Sequence, residues 1–277
     1  MIADAFLSQM RGCEKLGSPF MARLMRLLSE MTNHDGAVMD ALRNWPSDPM
    51  PSADNVSLRL AGGLHKLVLS GSAPELSAVY PPNESSDIAL KSTISNVLVT
   101  HEAALLDALT RPPLTNEVRR AAILIAISHW LTDRYRLPLM VSEIGASAGL
   151  NLHFDAFQLA VGDGYGPRHA EVSLAPVWKG DLPPRAKPTV LDRQGVDIAP
   201  ADTTQADAQL RLLSYLWADQ PERMVRTKAA LKLPAQTVIE ADALDWLPKR
   251  LASQRQGMCH LLFSTIAWQY LPLDAQA

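Results

Sequence analysis

At 277 residues, with 47% hydrophobic and 20% charged residues, the chain is long enough for one or two domains and apolar enough for a sizeable core. A net charge of −3 excludes a global electrostatic pull toward nucleic acid or an anionic membrane. No run reaches the roughly 18 apolar residues of a membrane span, and Met1-Ile2-Ala3-Asp4-Ala5 lacks the basic and apolar regions of a secretory signal, so a soluble cytoplasmic protein is expected. Cys13 and Cys259 stand far apart and fit no disulfide or zinc pattern. His65, His101, His129 and His153 occur singly on helical patterns, so no metal site is expected.

Residues 1–136 read as an all-helical domain. Phe6, Leu7, Met10, Cys13 and Leu16 share a helical face. Ser18-Pro19 supplies an N-cap and a first-turn proline for a second helix carrying Leu24, Leu27, Leu28 and Met31. A proline-rich loop at 44–53 precedes a helix at 58–69, interrupted by Gly62-Gly63. Ser72-Ala73-Pro74-Glu75 spells a capping box. Two longer helices, 87–109 and 115–135, follow, split by Arg111-Pro112-Pro113.

From Leu137 the texture becomes short apolar strands alternating with helices, which argues for a mostly parallel α/β sheet over residues 137–277. The strands are 137–141, 189–191 ending at Asp192-Arg193, 237–239 ending at Ala241-Asp242-Ala243, and 258–263 ending at Ser264-Thr265. Helices are expected at 150–157, 206–217, 222–231 and 243–252, and the glycine-rich segment 158–174 reads as an inserted hairpin.

The first strand leads into Glu143-Ile144-Gly145-Ala146-Ser147-Ala148-Gly149-Leu150-Asn151. A small-residue turn between a parallel strand and a helix lets backbone amides approach a ligand closely. An acid two places before the first glycine can bond a cationic amino group or a hydroxyl, which suits an aminoacyl group better than a pyrophosphate. The same letters spell Gly-x-Ser-x-Gly, a nucleophile elbow with Ser147 at its tip. One segment therefore supports two enzyme classes, beside a plain packing turn. The hydrolase reading needs a later histidine, and His169 and His260 are the candidates besides His153.

In open α/β sheets, ligands bind beyond the carboxyl ends of the strands. Four such ends here carry Glu143/Gly145, Asp192, Asp242/Ala243 and Ser264. Asp192 could accept both ribose hydroxyls and Asp242 an adenine amino group. The order glycine turn, acid, Asp-Ala, fourth strand resembles that of class I methyltransferases. That resemblance implies a Rossmann-like core and S-adenosylmethionine held by Glu143, Gly145, Ser147, Gly149, Asn151, Asp192, Asp242, Ala243 and Ser264. Asn116 and Glu117 feed into the first strand, and Trp268, Gln269 and Tyr270 follow the fourth. These five are candidate substrate contacts.

A closer resemblance lies in Leu16-Gly17-Ser18-Pro19-Phe20, Leu58-Arg59-Leu60-Ala61-Gly62-Gly63-Leu64-His65, Thr115-Asn116-Glu117-Val118, residues 143–152, residues 212–220 and Trp268-Gln269-Tyr270-Leu271-Pro272. Together they resemble the bacterial family numbered 2332 among the domains of unknown function, for which a methyltransferase-like core is inferred. In that family's pattern the position of Ser264 is often histidine. Ser147 stands where many methyltransferases have a second glycine. Gly149 to Asp192 spans 43 residues, against about 20 in a simple Rossmann unit, and the inserted hairpin would account for the excess.

A full class I sheet carries further strands after the fourth. The expectation is therefore an incomplete sheet at the C-terminal side, or a fragment. Three functions follow: a methyltransferase of unknown acceptor whose helical domain covers the cleft, a non-catalytic nucleoside-binding or interaction scaffold, and a serine hydrolase using Ser147.

Overall fold

The computed structural model describes residues 1–271, apart from the side chain of Tyr270. Pro272 and the residues after it lie outside the described part. The chain divides into two compact units, Met1–Thr115 with Leu210–Met224, and Asn116–Gln209 with Val225–Ala277.

Among its described residues the first unit contains helices and no strand. Helices α1 (Ile2–Lys15), α2 (Pro19–Glu30), α3 (Ala37–Arg43), α4 (Val56–Ser70), α5 (Pro74–Ser77), α6 (Asp87–Thr100) and α7 (Glu102–Thr110) come first. The end of α9 (Ala206–Ser214) and the start of α10 (Pro221–Ala230) complete it. Its core gathers Phe6, Leu24, Leu28, Met31, Leu60 and Leu64, the positions that helical periodicity places inward. Ser18 caps α2 by accepting from the Met21 amide at 3.4 Å, and Asp219 reinforces that end by accepting from Ser18 Oγ at 2.5 Å and from the Phe20 amide at 2.9 Å. The segment 212–220 is thus stitched to the second helix of its own unit.

Three helical expectations are corrected. The residue before α5 is Ala73, with no side-chain cap, because Ser72 Oγ bonds Ser70 Oγ at 2.8 Å instead. The single helix expected at 87–109 breaks at His101 into α6 and α7. Residues 118–120 form a 3-10 turn before α8 (Ala121–Tyr135).

The second unit is built on four parallel strands, β1 (Leu139–Ile144), β4 (Val190–Asp197), β5 (Val238–Glu240) and β6 (Cys259–Ser264), in the order β5-β4-β1-β6. Counted along the chain this is 3-2-1-4, so the order reverses beside β1. All six positions of β1 are buried, as a central parallel strand covered on both faces requires. Helix α11 (Ala243–Ala252) covers one face through Trp246, which packs with Ile144 and Val196.

The expected inserted hairpin is instead a short parallel ladder of β2 (Gln158–Leu159) and β3 (Ser173–Leu174). The glycine turn folds back only far enough for one antiparallel bridge between Leu159 and Tyr165. The chain then crosses over and returns in the other sense. Residues 150–156 form a 3-10 turn rather than an α-helix. The second core strand also continues five residues beyond Asp192, to Asp197.

Gly62 gives a test of packing against propensity. An alanine in mid-helix usually gains about 1 kcal/mol over glycine. Here a Cβ at Gly62 would stand 2.6 Å from Tyr215 Cε1. Overpacking of about 1–3 kcal/mol outweighs that gain, so Gly62→Ala is expected to lower the urea midpoint with an unchanged m-value. A raised midpoint would show that Tyr215 moves aside freely.

Candidate functional site at the carboxyl edge of the sheet

The strand-to-turn junction after β1 is pinned by β4. The amides of Gly145 and Ala146 both donate to the carbonyl of Val196, at 2.9 and 3.0 Å, and the Ser147 amide donates to Asp197 Oδ2 at 2.8 Å. Gly149 N–H bonds Ala146 O at 2.8 Å, and Leu150 N–H bonds Asn116 Oδ1 at 2.9 Å. These five amides are engaged inside the protein, so the turn does not cradle a phosphate in the manner of a dinucleotide fold. What it offers a ligand are side chains.

Gly145, Ser147 and Gly149 all take positive φ, at 69°, 55° and 70°. Gly145 is required by packing, because a Cβ there would collide with Ala267 Cβ. At Gly149 a Cβ would press on Val238 and Gln236. Ser147 is the position where a side chain carries the strain of the left-handed region.

Around this turn lies a group of buried polar atoms without partners. Glu143 is fully buried, and neither carboxylate oxygen has a hydrogen-bond partner among the described residues. Asn151 is fully buried, and among the described residues its amide oxygen and nitrogen and the buried Ser147 Oγ are all unpaired. Desolvation pushes the Glu143 carboxyl well above the usual range; Asn151, Arg120 and Thr265 temper the shift, and the Asp197 charge adds to it. Asn151 and Thr265 therefore sit close by without giving the carboxyl a hydrogen bond of proper geometry. Orphaned buried polar atoms are rare in native proteins, and three such residues within nine positions define the site.

The candidate residues divide on this geometry. Glu143, Gly145, Ser147, Gly149, Asn151 and Asn116 come together after β1. Ser264 ends β6, where its Oγ accepts the Trp268 amide at 3.2 Å. Asp242 follows β5 as the N-cap of α11, accepting the Leu244 amide at 2.7 Å, with Ala243 first in the helix. Glu117 accepts the Arg119 amide at 3.0 Å and stands 3.7 Å from Arg226. Trp268 and Gln269 are exposed, and the Tyr270 side chain lies outside the described part.

Asp192 is not at the edge. It pairs in register with Met140, early in the ladder, and its carboxylate is held by Arg250 and, at 3.2 Å, by Arg255. The acid at the carboxyl end of β4 is Asp197, a residue outside the expected set. Its Oδ1 accepts the Ala199 amide at 3.0 Å, beside the Ser147 bond to Oδ2. A carboxylate has about four lone-pair sites, so Asp197 keeps acceptor capacity for a ligand. The signal for it was a second acid after the short apolar pair Gly195-Val196.

The histidines are engaged elsewhere. His153 Nε2 bonds Pro234 O at 2.8 Å, His260 Nε2 pairs with Ser142 Oγ at 2.8 Å, and His169 is exposed. No group of three or more His, Cys, Asp or Glu side chains suited to a metal ion exists among the described residues. No described helix is long and apolar enough to cross a membrane.

Fold and site together define an α/β protein with a parallel four-stranded sheet and a side-chain-lined polar site at its carboxyl edge. Over residues 3–277 the chain matches the family described as "Uncharacterized protein conserved in bacteria (DUF2332)", and it belongs to that family. No curated protein and no solved structure matches it.

The buried carboxyl makes a prediction with a definite sign. Because the folded state raises the Glu143 pKa above the ordinary 4.5, the residue's contribution to stability is lost as pH rises from about that value toward the folded pKa. Glu143→Gln removes the ionisation and keeps the shape. At pH 8 it is expected to be more stable than the parent, by about 1.4 kcal/mol for each pH unit between the ordinary and the folded pKa, with the gap closing toward pH 5. The depressed pKa values of His65, His129, His153 and His260 lower the stability of both proteins as pH falls below about 6.5, and cancel in the difference. Melting curves from pH 5 to 8 read the gap; a gap that does not change with pH would mean that Glu143 is not the buried acid described.

Proposed function

We propose that this protein is an S-adenosylmethionine-dependent methyltransferase-like protein, with a Rossmann-like core that holds the cofactor at the carboxyl ends of β1, β4 and β5. The observation that carries the reading is the Glu143 carboxyl, buried and unpaired at the end of β1. A fixed acceptor in a desolvated site suits a cationic amino group, whose charge would compensate the carboxylate. Asn151, with both amide atoms unpaired beside it, can serve the carboxylate and amino group of the same aminoacyl moiety.

The strand order 3-2-1-4 and the reversal beside β1 support the same reading, because open α/β sheets bind ligands where the order reverses. Asp197 would accept a ribose hydroxyl, in place of the Asp192 expected from sequence. Asp242 would accept an adenine amino group with the lone pairs left over from its capping bond. Bound there, the cofactor would supply an electrophilic methyl group on a sulfonium. The protein's part is to orient that group and exclude water from it.

One observation favours a second reading. Ser147 sits at positive φ with a buried, unpaired hydroxyl, which is the strained geometry of a nucleophile elbow. The reading lacks a base, since the later histidines bond other partners or lie on the surface.

Isothermal titration with S-adenosylmethionine and S-adenosylhomocysteine tests both readings. The parent chain is expected to bind each ligand, Glu143→Gln to lose roughly tenfold or more in affinity, as expected when a charge-assisted bond is removed, and Asp242→Asn to lose less. Folded protein that binds neither ligand, but labels at Ser147 with a fluorophosphonate probe, would replace the methyltransferase reading with the hydrolase.

A further inference from the structure

A second polar site lies on the α11 face of the sheet. It is a groove of about 530 Å³ whose lining includes Asp192, Gln194, Trp246, Lys249, Arg250 and Arg255. At its centre, the buried Arg250 is held at three points. Its Nε donates to Ser142 Oγ at 2.8 Å, and its Nη2 donates to the Val141 carbonyl at 3.1 Å and to the Asp192 carboxylate. Nη1 makes no bond among the described residues, and Arg250 lines the groove. A guanidinium fixed in this way presents its remaining N–H groups without further loss of side-chain freedom.

The neighbouring groups add to that donor. Gln194 Oε1 accepts from Trp246 Nε1 at 3.2 Å, which leaves the Gln194 amide nitrogen as a donor. Lys249 and Arg255 are exposed at the rim. Three cations against the single carboxylate of Asp192 give the lining a net charge of +2, in a chain whose net charge is −3. Three of the carbonyls in the last turn of α11, which would repel an anion, are occupied. Lys249 O and Leu251 O accept the amides of Ser253 and Gln254, and Arg250 O accepts Ser253 Oγ.

We propose that this groove binds the dianion of a phosphate monoester. The phosphate would rest on Arg250 Nη1 and the Gln194 amide between Lys249 and Arg255, where planar donors match its oxygens and the net charge matches its own. The ester group would lie along Trp246 and Ile239, the apolar part of the lining. The volume falls within the roughly 300–1,000 Å³ of small-molecule sites and exceeds what a bare phosphate fills. Asp192 becomes a positioning residue, acting through Arg250. The proposal does not rest on the cofactor reading, because the groove shares none of the side chains of the carboxyl-edge site.

The test is titration of the full chain, at fixed ionic strength, with phenyl phosphate and with inorganic phosphate. Phenyl phosphate is expected to bind about tenfold or more tightly than inorganic phosphate, because only the ester reaches apolar surface. In the double variant Lys249→Gln/Arg255→Gln, which keeps the Arg250–Asp192 pair and loses only the exposed Arg255 contact to Asp192, a melting curve confirms folding and phenyl phosphate is expected to bind about tenfold or more weakly. Arg250→Lys, which keeps the charge and loses the fork, is expected to weaken it as well. No binding of either ligand at millimolar concentration would overturn the proposal. Undiminished binding in the folded double variant would overturn it too, by placing the ligand elsewhere, and equal affinity for both ligands would remove the ester group from the site.

Discussion

The second unit depends on one carbonyl. Val196 O accepts the amides of both Gly145 and Ala146, and so fixes where β1 stops and its turn begins. The residues on either side of Val196 complete the template. Gly195 leaves the space that Ala146 Cβ fills, and Asp197 holds the Ser147 amide. The carboxyl end of β4 therefore shapes the turn after β1. A slip of one residue in this parallel register would turn Glu143 to the opposite face. The whole polar site rests on a pairing that is local in space and about fifty residues apart in sequence.

Such a site is held against its own energetics. A buried carboxyl, a buried amide and a buried hydroxyl without partners among the described residues each oppose folding, and a serine at φ 55° adds backbone strain. The surrounding structure can hold these groups because β1 is buried along its whole length and laddered on both sides. Stability given up at one place and supplied by the scaffold around it is the usual mark of a functional site.

The general architecture was legible because it rests on periodicity and composition. Alternating strands and helices after residue 136 announced a parallel sheet, and Glu143 through Asn151 announced the turn. What was not legible depended on distant partners. The strand containing Asp192 seemed to end there, because Asp192-Arg193-Gln194 is a polar run. In the folded chain each of these residues is paired across the structure: Asp192 with Arg250, Arg193 with Asp155 at 2.8 Å, and Gln194 with Trp246. No local pattern reveals such partners, so the strand looked five residues shorter and the acid at its true end was missed. The segment 158–174 misled for a related reason: its glycines signal a reversal, but they do not say whether the returning strand pairs beside its neighbour or beyond a crossover.

Ser142 and Glu143 are adjacent in β1 and point to opposite faces of the same sheet, both with no exposed surface. Ser142 Oγ receives the Arg250 Nε–H and pairs with His260 Nε2; Glu143 accepts no hydrogen bond of proper geometry among the described residues. Burial of a polar group on this strand is therefore not in itself the sign of a site, since the α11 face shows how fully the fold can meet one. The unmet Glu143 carboxyl lies at the carboxyl edge, where Asn151 and Ser147 are unmet among the described residues as well. Three groups unmet among the described residues lie on one side of one turn, while Ser142, the neighbour of Glu143 on the other face, is bonded twice; a ligand that met all three would account for their clustering.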